Sequence, residues 1–149
     1  MIMFDGKLVA RGPPQELFSF PDNEQVAEFL GYVNMLPSKL KSSSEKGIII
    51  AETPIGEITC LPSKTLKQGD SCHICLRSSY VNISLEEPKN RPNVFKGKID
   101  RITYTASDYV EYHVSVGDHI LRVKSKEIVG VGSSKEVFVA IDPEGCVCI

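Results

Sequence analysis

Apolar and polar residues alternate with a period of two along most of this chain, and only near its start does the pattern shift toward a helical period. Met1–Phe4 and Lys7–Ala10 flank Asp5-Gly6, and an Asp-Gly pair between apolar runs signals a hairpin because both turn positions tolerate positive φ. Pro13 and Pro14 open a short helix over Gln15–Ser19. Pro21-Asp22 opens a second, in which Val26, Phe29 and Leu30 form an apolar stripe before Gly31 stops it. A hairpin and two short helices bury little by themselves, so residues 1–31 read as the tail of a larger domain.

From Tyr32 onward short strands are separated by Gly, Pro, Ser and Asp, which predicts a mainly β fold. Strands are expected over Asn34–Lys41, Ile48–Thr53, Glu57–Leu61 and Ser71–Arg77, then through Val81, Ile83 and Leu85. The Ser42-Ser43-Ser44 run reads as a loop. Past Glu86-Glu87-Pro88-Lys89 a second set follows: Val94–Tyr104, with its alternation broken near Gly97–Arg101 as a bulge would break it, Tyr109–Val116, His119–Lys124, Glu136–Ile141 and Cys146–Ile149. Ser125–Ile128 is expected as a helical turn and Gly130–Ser134 as a loop. The two sets share their order, an Asn-led strand, a hairpin, a polar turn and two short closing strands, which points to internal duplication. The predicted organisation is 1–31, then one barrel half over 32–87 and another over 88–149.

Composition narrows the function. At 149 residues with 42% hydrophobic positions, the chain has enough for one ordinary core or two small ones. A formal charge of −2 gives no reason to expect nucleic acid or an anionic membrane as partner. No apolar run approaches the roughly 20 residues of a spanning helix. The five cysteines leave one over in any pairing, which argues against a secreted disulfide framework and for a reducing compartment. Cys72-His73-Ile74-Cys75 has the spacing of half a zinc site, but in a strand positions 72 and 75 point to opposite faces, and no metal is expected. Cys146 and Cys148 share a face, where packing is their expected role.

The candidate chemistry lies between Arg77 and Lys98. Arg77-Ser78-Ser79 and Arg91, Asn93 and Lys96 each place a cation beside small polar groups at a strand edge, a donor set suited to a tetrahedral oxyanion. A rival binding surface is offered by Tyr104, Tyr109 and Tyr112, which could stack nucleic-acid bases on an OB-like barrel. No catalytic set is expected: His73, His113 and His119 have no paired nucleophile, and Gly130-Val131-Gly132-Ser133-Ser134-Lys135 lacks the spacing of a phosphate-binding loop.

The run Asp5-Gly6-Lys7-Leu8-Val9-Ala10-Arg11-Gly12-Pro13-Pro14-Gln15-Glu16-Leu17-Phe18, with Pro21 to Gly31 after it, resembles the end of the nucleotide-binding domain of an ABC importer ATPase that carries a regulatory extension. Beyond Gly31 the chain resembles that extension, a TOBE or Mop-type domain of OB-like barrels. Arg77-Ser78-Ser79-Tyr80-Val81 is similar to the closing-strand motif of a Mop-type barrel, and Asn90-Arg91-Pro92-Asn93-Val94-Phe95-Lys96-Gly97 to its opening motif. Pro92 stands where that motif has arginine, and Asn90 where it has serine. The resemblance implies a homodimerising regulatory domain that senses molybdate or tungstate through Arg77, Ser78, Ser79, Arg91, Asn93 and Lys96. It also implies a cytoplasmic place beside membrane permease subunits, with ATP and Mg held by an ATPase domain outside this chain and no cofactor within it. Sulfate, iron, polyamine and sugar importers share the architecture.

Overall fold

The computed structural model describes residues 1–43, 47–61, 66–129 and 135–149; the expected loop at Gly130–Ser134 and most of the Gly130–Lys135 run lie outside them. The chain opens with strands β1 (Ile2–Phe4) and β2 (Lys7–Ala10), joined by a turn in which Asp5 and Gly6 both take positive φ, 49° and 74°. Helices α1 (Pro14–Ser19) and α2 (Glu24–Phe29) follow. The Asn23 side chain caps α2 by accepting from the Val26 N–H at 3.0 Å. Gly31, at φ 91°, closes the helix by donating to Glu28 while Tyr32 donates to Ala27, the paired bonds of a Schellman ending. Val26 is buried as the apolar stripe requires, but Phe29 is exposed and packs edge-on against Phe4, with ring centroids 5.4 Å apart. Ala27 takes the buried place instead, because α2 lies against the β module on that side.

Among the described residues ten further strands form two five-stranded sheets. The first half supplies β3 (Asn34–Ser43), β4 (Ile49–Thr53), β5 (Gly56–Cys60), β6 (Ser71–Leu76) and β7 (Val81–Ser84). The second supplies β8 (Val94–Tyr104), β9 (Val110–Val116), β10 (His119–Ser125), β11 (Glu136–Ile141) and β12 (Cys146–Cys148). The expected loop at Ser42 and Ser43 is the end of β3, which pairs with β4 that far. The helical turn expected at Ser125–Ile128 is absent: Ser125 ends β10, and the buried Tyr112 hydroxyl donates to the Glu127 carbonyl at 3.3 Å and accepts from the Val129 N–H at 2.8 Å. Those two bonds pin a bend at Lys126 and Glu127 to the Tyr112 hydroxyl.

The two halves repeat the same order of strands, yet they are not separate barrels. The sheet orders are β12-β6-β3-β4-β5 and β10-β9-β8-β11-β7, so each half lends its last strand to the sheet of the other. Both opening strands carry a register shift at the same distance from their leading asparagine, between Leu40 and Ser42 in β3 and between Ile99 and Arg101 in β8. Each exchanged strand is preceded by a 3-10 turn, Ser78–Tyr80 before β7 and Pro143–Gly145 before β12. The turns meet at the pseudo-twofold axis: Arg77 N–H donates to the Gly145 carbonyl at 3.2 Å and Asp142 N–H to the Tyr80 carbonyl at 3.0 Å. Only one of the two crossing positions has room for a side chain. A Cβ on Gly145 would lie 2.1 Å from the Cβ of Tyr80.

One continuous core joins the halves. It takes Leu40, Ile58, Ile74 and Leu76 from one sheet and Ile99, Tyr112, Leu121 and Val139 from the other, all at 1% exposure or less. Burial of this kind stabilises by about 25 cal/mol per Å² of apolar surface and makes the two sheets one cooperative unit. Cys72, Cys146 and Cys148 face this core, whereas Cys75 points the other way and packs with Ala27, Tyr32 and Val147. The opposite-face reading of Cys72 and Cys75 therefore holds.

Candidate functional site at the seam between helices and barrels

Arg77 leaves the end of β6 and enters a seam between the helical segment and the 3-10 turn at Ser78–Tyr80. Its guanidinium carbon lies 3.5 Å from the centroid of the Phe18 ring and 4.4 Å from that of Tyr32, so the cation is held between two aromatic faces. Its Nη2 donates to the Phe18 carbonyl, which also accepts from the Tyr32 hydroxyl at 3.2 Å. Burial pushes the Tyr32 phenol above its ordinary range despite the neighbouring Arg77, so it remains a protonated donor. Arg77 Nε is buried with no hydrogen-bond partner among the described residues. The joint fixes helix α1, Tyr32 and the twin barrel to one another.

Beside it opens a cavity of about 630 Å³. Ser78, Ser79 and Tyr80 line one wall, Phe18, Leu30 and Gly31 another, and Thr105, Ser107, Tyr109, Glu111 and Lys124 come from the second half. Glu111 is already engaged. Arg122 approaches it with Nε at 3.3 Å and Nη2 at 3.2 Å, and His113 lies 3.1 Å away. Burial raises the Glu111 carboxyl, but the bonds and charge of Arg122 outweigh this and hold it below the ordinary glutamate range. Thr105 and Ser107 hydrogen-bond each other at 2.9 Å, which leaves Lys124 and the hydroxyls of Ser78, Ser79, Tyr80 and Tyr109 to meet a ligand, with Arg77 forming the back edge.

Of the six residues expected to hold an oxyanion, only Arg77, Ser78 and Ser79 share this opening. Arg91 pairs with Asp142 at 3.5 Å and faces a separate cleft beside Glu86 and Pro88. Lys96 borders a third opening with Leu85 and Glu136. Asn93, at φ 54°, turns its side chain inward: Nδ2 donates to the carbonyls of Thr59 and Ile141 at 2.8 and 3.1 Å, and Oδ1 accepts from the Thr59 N–H at 2.7 Å. Within one chain, then, the two motifs do not converge on one anion. Arg77 ends β6 in one sheet, whereas Arg91, Asn93 and Lys96 stand at the start of β8 in the other, with Asn93 against β5.

Asn34, the counterpart of Asn93, makes the mirrored contact. Its Nδ2 donates to the Arg122 carbonyl at 2.9 Å and its Oδ1 accepts from the Arg122 N–H at 2.7 Å. Each asparagine amide thereby stands in for a missing strand, satisfying both backbone groups of one edge residue in the opposite half. Sequence reading placed the asparagines at strand starts but not their partners, which lie 88 and 34 residues away.

Among the described residues the pseudo-symmetry fails at the closure of the barrels. The first barrel closes through a parallel bridge between Leu61 and Val147, with Leu61 N–H donating to the Cys146 carbonyl at 3.2 Å. Aligned on the two asparagine contacts, the corresponding pair is Lys124 and Asn82, and among the described residues that bridge is not formed. A slot of about 480 Å³ lies there, between β7 and the end of β10, and shares Ser79, Tyr109 and Lys124 with the seam cavity. The expected tyrosine platform does not exist. Tyr112 is fully buried while Tyr104 and Tyr109 are 69% and 38% exposed, so the three never share a face.

Among the described residues no helix is long and apolar enough to cross a membrane, and no cluster of metal-binding side chains occurs. No family model matches the chain. It is 28% identical over 128 residues to the spermidine/putrescine import ATP-binding protein PotA of Protochlamydia amoebophila, covering 84% of this chain and 34% of that protein. It is 30% identical over 121 residues to PotA of Chromobacterium violaceum, covering 80% and 33%, and 28% over 130 residues to the putrescine transport ATP-binding protein PotG of Escherichia coli K12, covering 86% and 32%. The chain therefore spans about a third of the length of the curated relatives it matches. Among solved structures it resembles the cytoplasmic molybdate-binding protein ModG with molybdate bound, at a TM-score of 0.60 and 11% identity, over 78% of this chain and 94% of that one. The fold is mainly β, two OB-like half-barrels of TOBE type, and over most of its length the chain is similar to the ATP-binding proteins of ABC importers.

Proposed function

We propose that this chain is the regulatory portion of the ATP-binding subunit of an ABC importer, and that it works by tying the placement of its helical segment to the state of the twin barrel. The Arg77 joint is the observation that carries this reading, because a cation held by two rings and a shared carbonyl makes any shift of the barrel a shift of α1. In this reading the subunit acts in the cytoplasm beside membrane permeases, pairs with a second copy, and leaves ATP and Mg to an ATPase body outside these residues. The imported substrate is a polyamine, as the names of the relatives favour.

A second reading, sensing of molybdate or tungstate, rests on the seam cavity, where Arg77, Ser78, Ser79 and Lys124 meet. Such an effector regulates only if it binds two placements of the segment with different affinity. Calorimetric titration with spermidine, putrescine, molybdate, tungstate and sulfate separates the readings. Heat from an amine alone favours the first substrate class, and heat from molybdate or tungstate that is lost in Lys124→Ala favours the second. No heat from any of them at millimolar concentration leaves only a scaffold and contradicts effector binding.

A further inference from the structure

The exchanged strand β12 carries two cysteines into the core of the other half. Cys148 lies opposite Ile74 in the register with β6, and Cys72 stands two positions along the same strand on the same face. Their sulfurs approach to 2.6 Å although both are free thiols, well inside the roughly 3.5–4.0 Å at which non-bonded heavy atoms rest. Only a covalent S–S bond, of about 2.05 Å, brings two sulfurs closer. Cys75 faces the opposite side of β6, and Cys60 and Cys146 form a neighbouring group deeper in the same core.

We infer that Cys72 and Cys148 are a reversible oxidation site, whose disulfide locks the strand lent by the second half onto the sheet of the first. With hydrogen peroxide as oxidant the step balances. The Cys148 thiolate attacks a peroxide oxygen, the O–O bond breaks, and a sulfenic acid and one water result. The Cys72 sulfur then attacks the sulfenic sulfur, the S–O bond breaks and a second water leaves. Two thiols have lost two protons and two electrons, and one peroxide has become two waters.

The site is gated by the fold. Burial pushes both thiols above the ordinary cysteine range, Cys148 farther than Cys72, so little thiolate exists while β12 is seated. Among the described residues β12 is three residues long, pairs with β6 on one side and meets the other side of the barrel only at the Leu61 bridge, and lifting it exposes Cys148 to solvent. Oxidation is thus slow in the closed state and faster wherever the exchange loosens, so the bond records that the two halves have been apart.

The test uses the whole chain. After hydrogen peroxide at pH 8, unfolding in denaturant with an alkylating reagent should modify three cysteines instead of five. Peptide mapping should place the link between positions 72 and 148, and the thermal midpoint should rise by roughly 5–15 °C, reversed by dithiothreitol. Five alkylated cysteines after treatment, a link through any other pair including Cys60 with Cys146, or sulfinic acid at Cys148 with no link would each overturn the inference. Because the mapping is done on the unaltered sequence, it does not depend on whether a cysteine variant folds.

Discussion

At the scale of single residues, polar side chains that resemble ligand groups do structural work in the interior. Asn34 and Asn93 each satisfy two backbone groups of the opposite half, so replacing either with alanine leaves a half-buried N–H and C=O without their protein partner. At about 1–3 kcal/mol for each group, Asn34→Ala and Asn93→Ala should each lower unfolding stability by roughly 2–4 kcal/mol in urea titrations. A loss under 0.5 kcal/mol would mean water replaces the amide, on the ordinary scale of a surface substitution. Glu111 gives a pH signature. Its folded-state carboxyl sits below the ordinary glutamate range, so the stability it contributes is present above that range and is lost as pH falls through the folded value. Acid unfolding followed by circular dichroism should therefore begin at higher pH in Arg122→Ala, where the depressed value relaxes upward, than in the unaltered chain.

The strands were legible because a sheet with one buried face writes its period of two into the sequence. Val94–Tyr104 and Glu136–Ile141 match their expected limits, and the break in alternation near Arg101 is a real bulge. What the pattern does not encode is pairing. The preference of β7 for β11 and of β12 for β6 depends on contacts between distant segments, so the exchange was invisible, as was the placement of β6 and β8 in different sheets that separates Arg77 from Lys96. Arg77 itself was legible as a cation at a strand end. Its ring partners Phe18 and Tyr32 lie on either side of α2 and gave no local signal.

The element that depends most on the exchange is the pair of turns at the axis. Gly145 faces Tyr80 so closely that Gly145→Ala forces a backbone shift, and a loss of about 3 kcal/mol or more is expected by thermal unfolding. If the pseudo-twofold is the cause, Tyr80→Gly should partly rescue Gly145→Ala by moving the one permitted side chain to the other turn. A double variant no more stable than Gly145→Ala alone would place the strain elsewhere.

For the whole molecule, two sheets share a core and exchange their last strands, and the helical segment docks on them through the Arg77 joint, through Ala27 and Tyr32 packed against Cys75 and Val147, and through His73 Nδ1 at 2.8 Å from Glu24 Oε1. That arrangement suits a module that reports its own state to a neighbouring domain. The most direct test is residue-resolved hydrogen exchange on the intact chain and on Arg77→Ala. The hydrogen-bonded amides of Phe20, Leu30 and Tyr32 should exchange on the order of tenfold faster in the variant, the effect of losing about 1–2 kcal/mol of ring and hydrogen-bond contacts, while amides in β3 and β9 keep their protection. Equal acceleration throughout the barrels, or no change at the helices, would contradict the coupling on which the account rests.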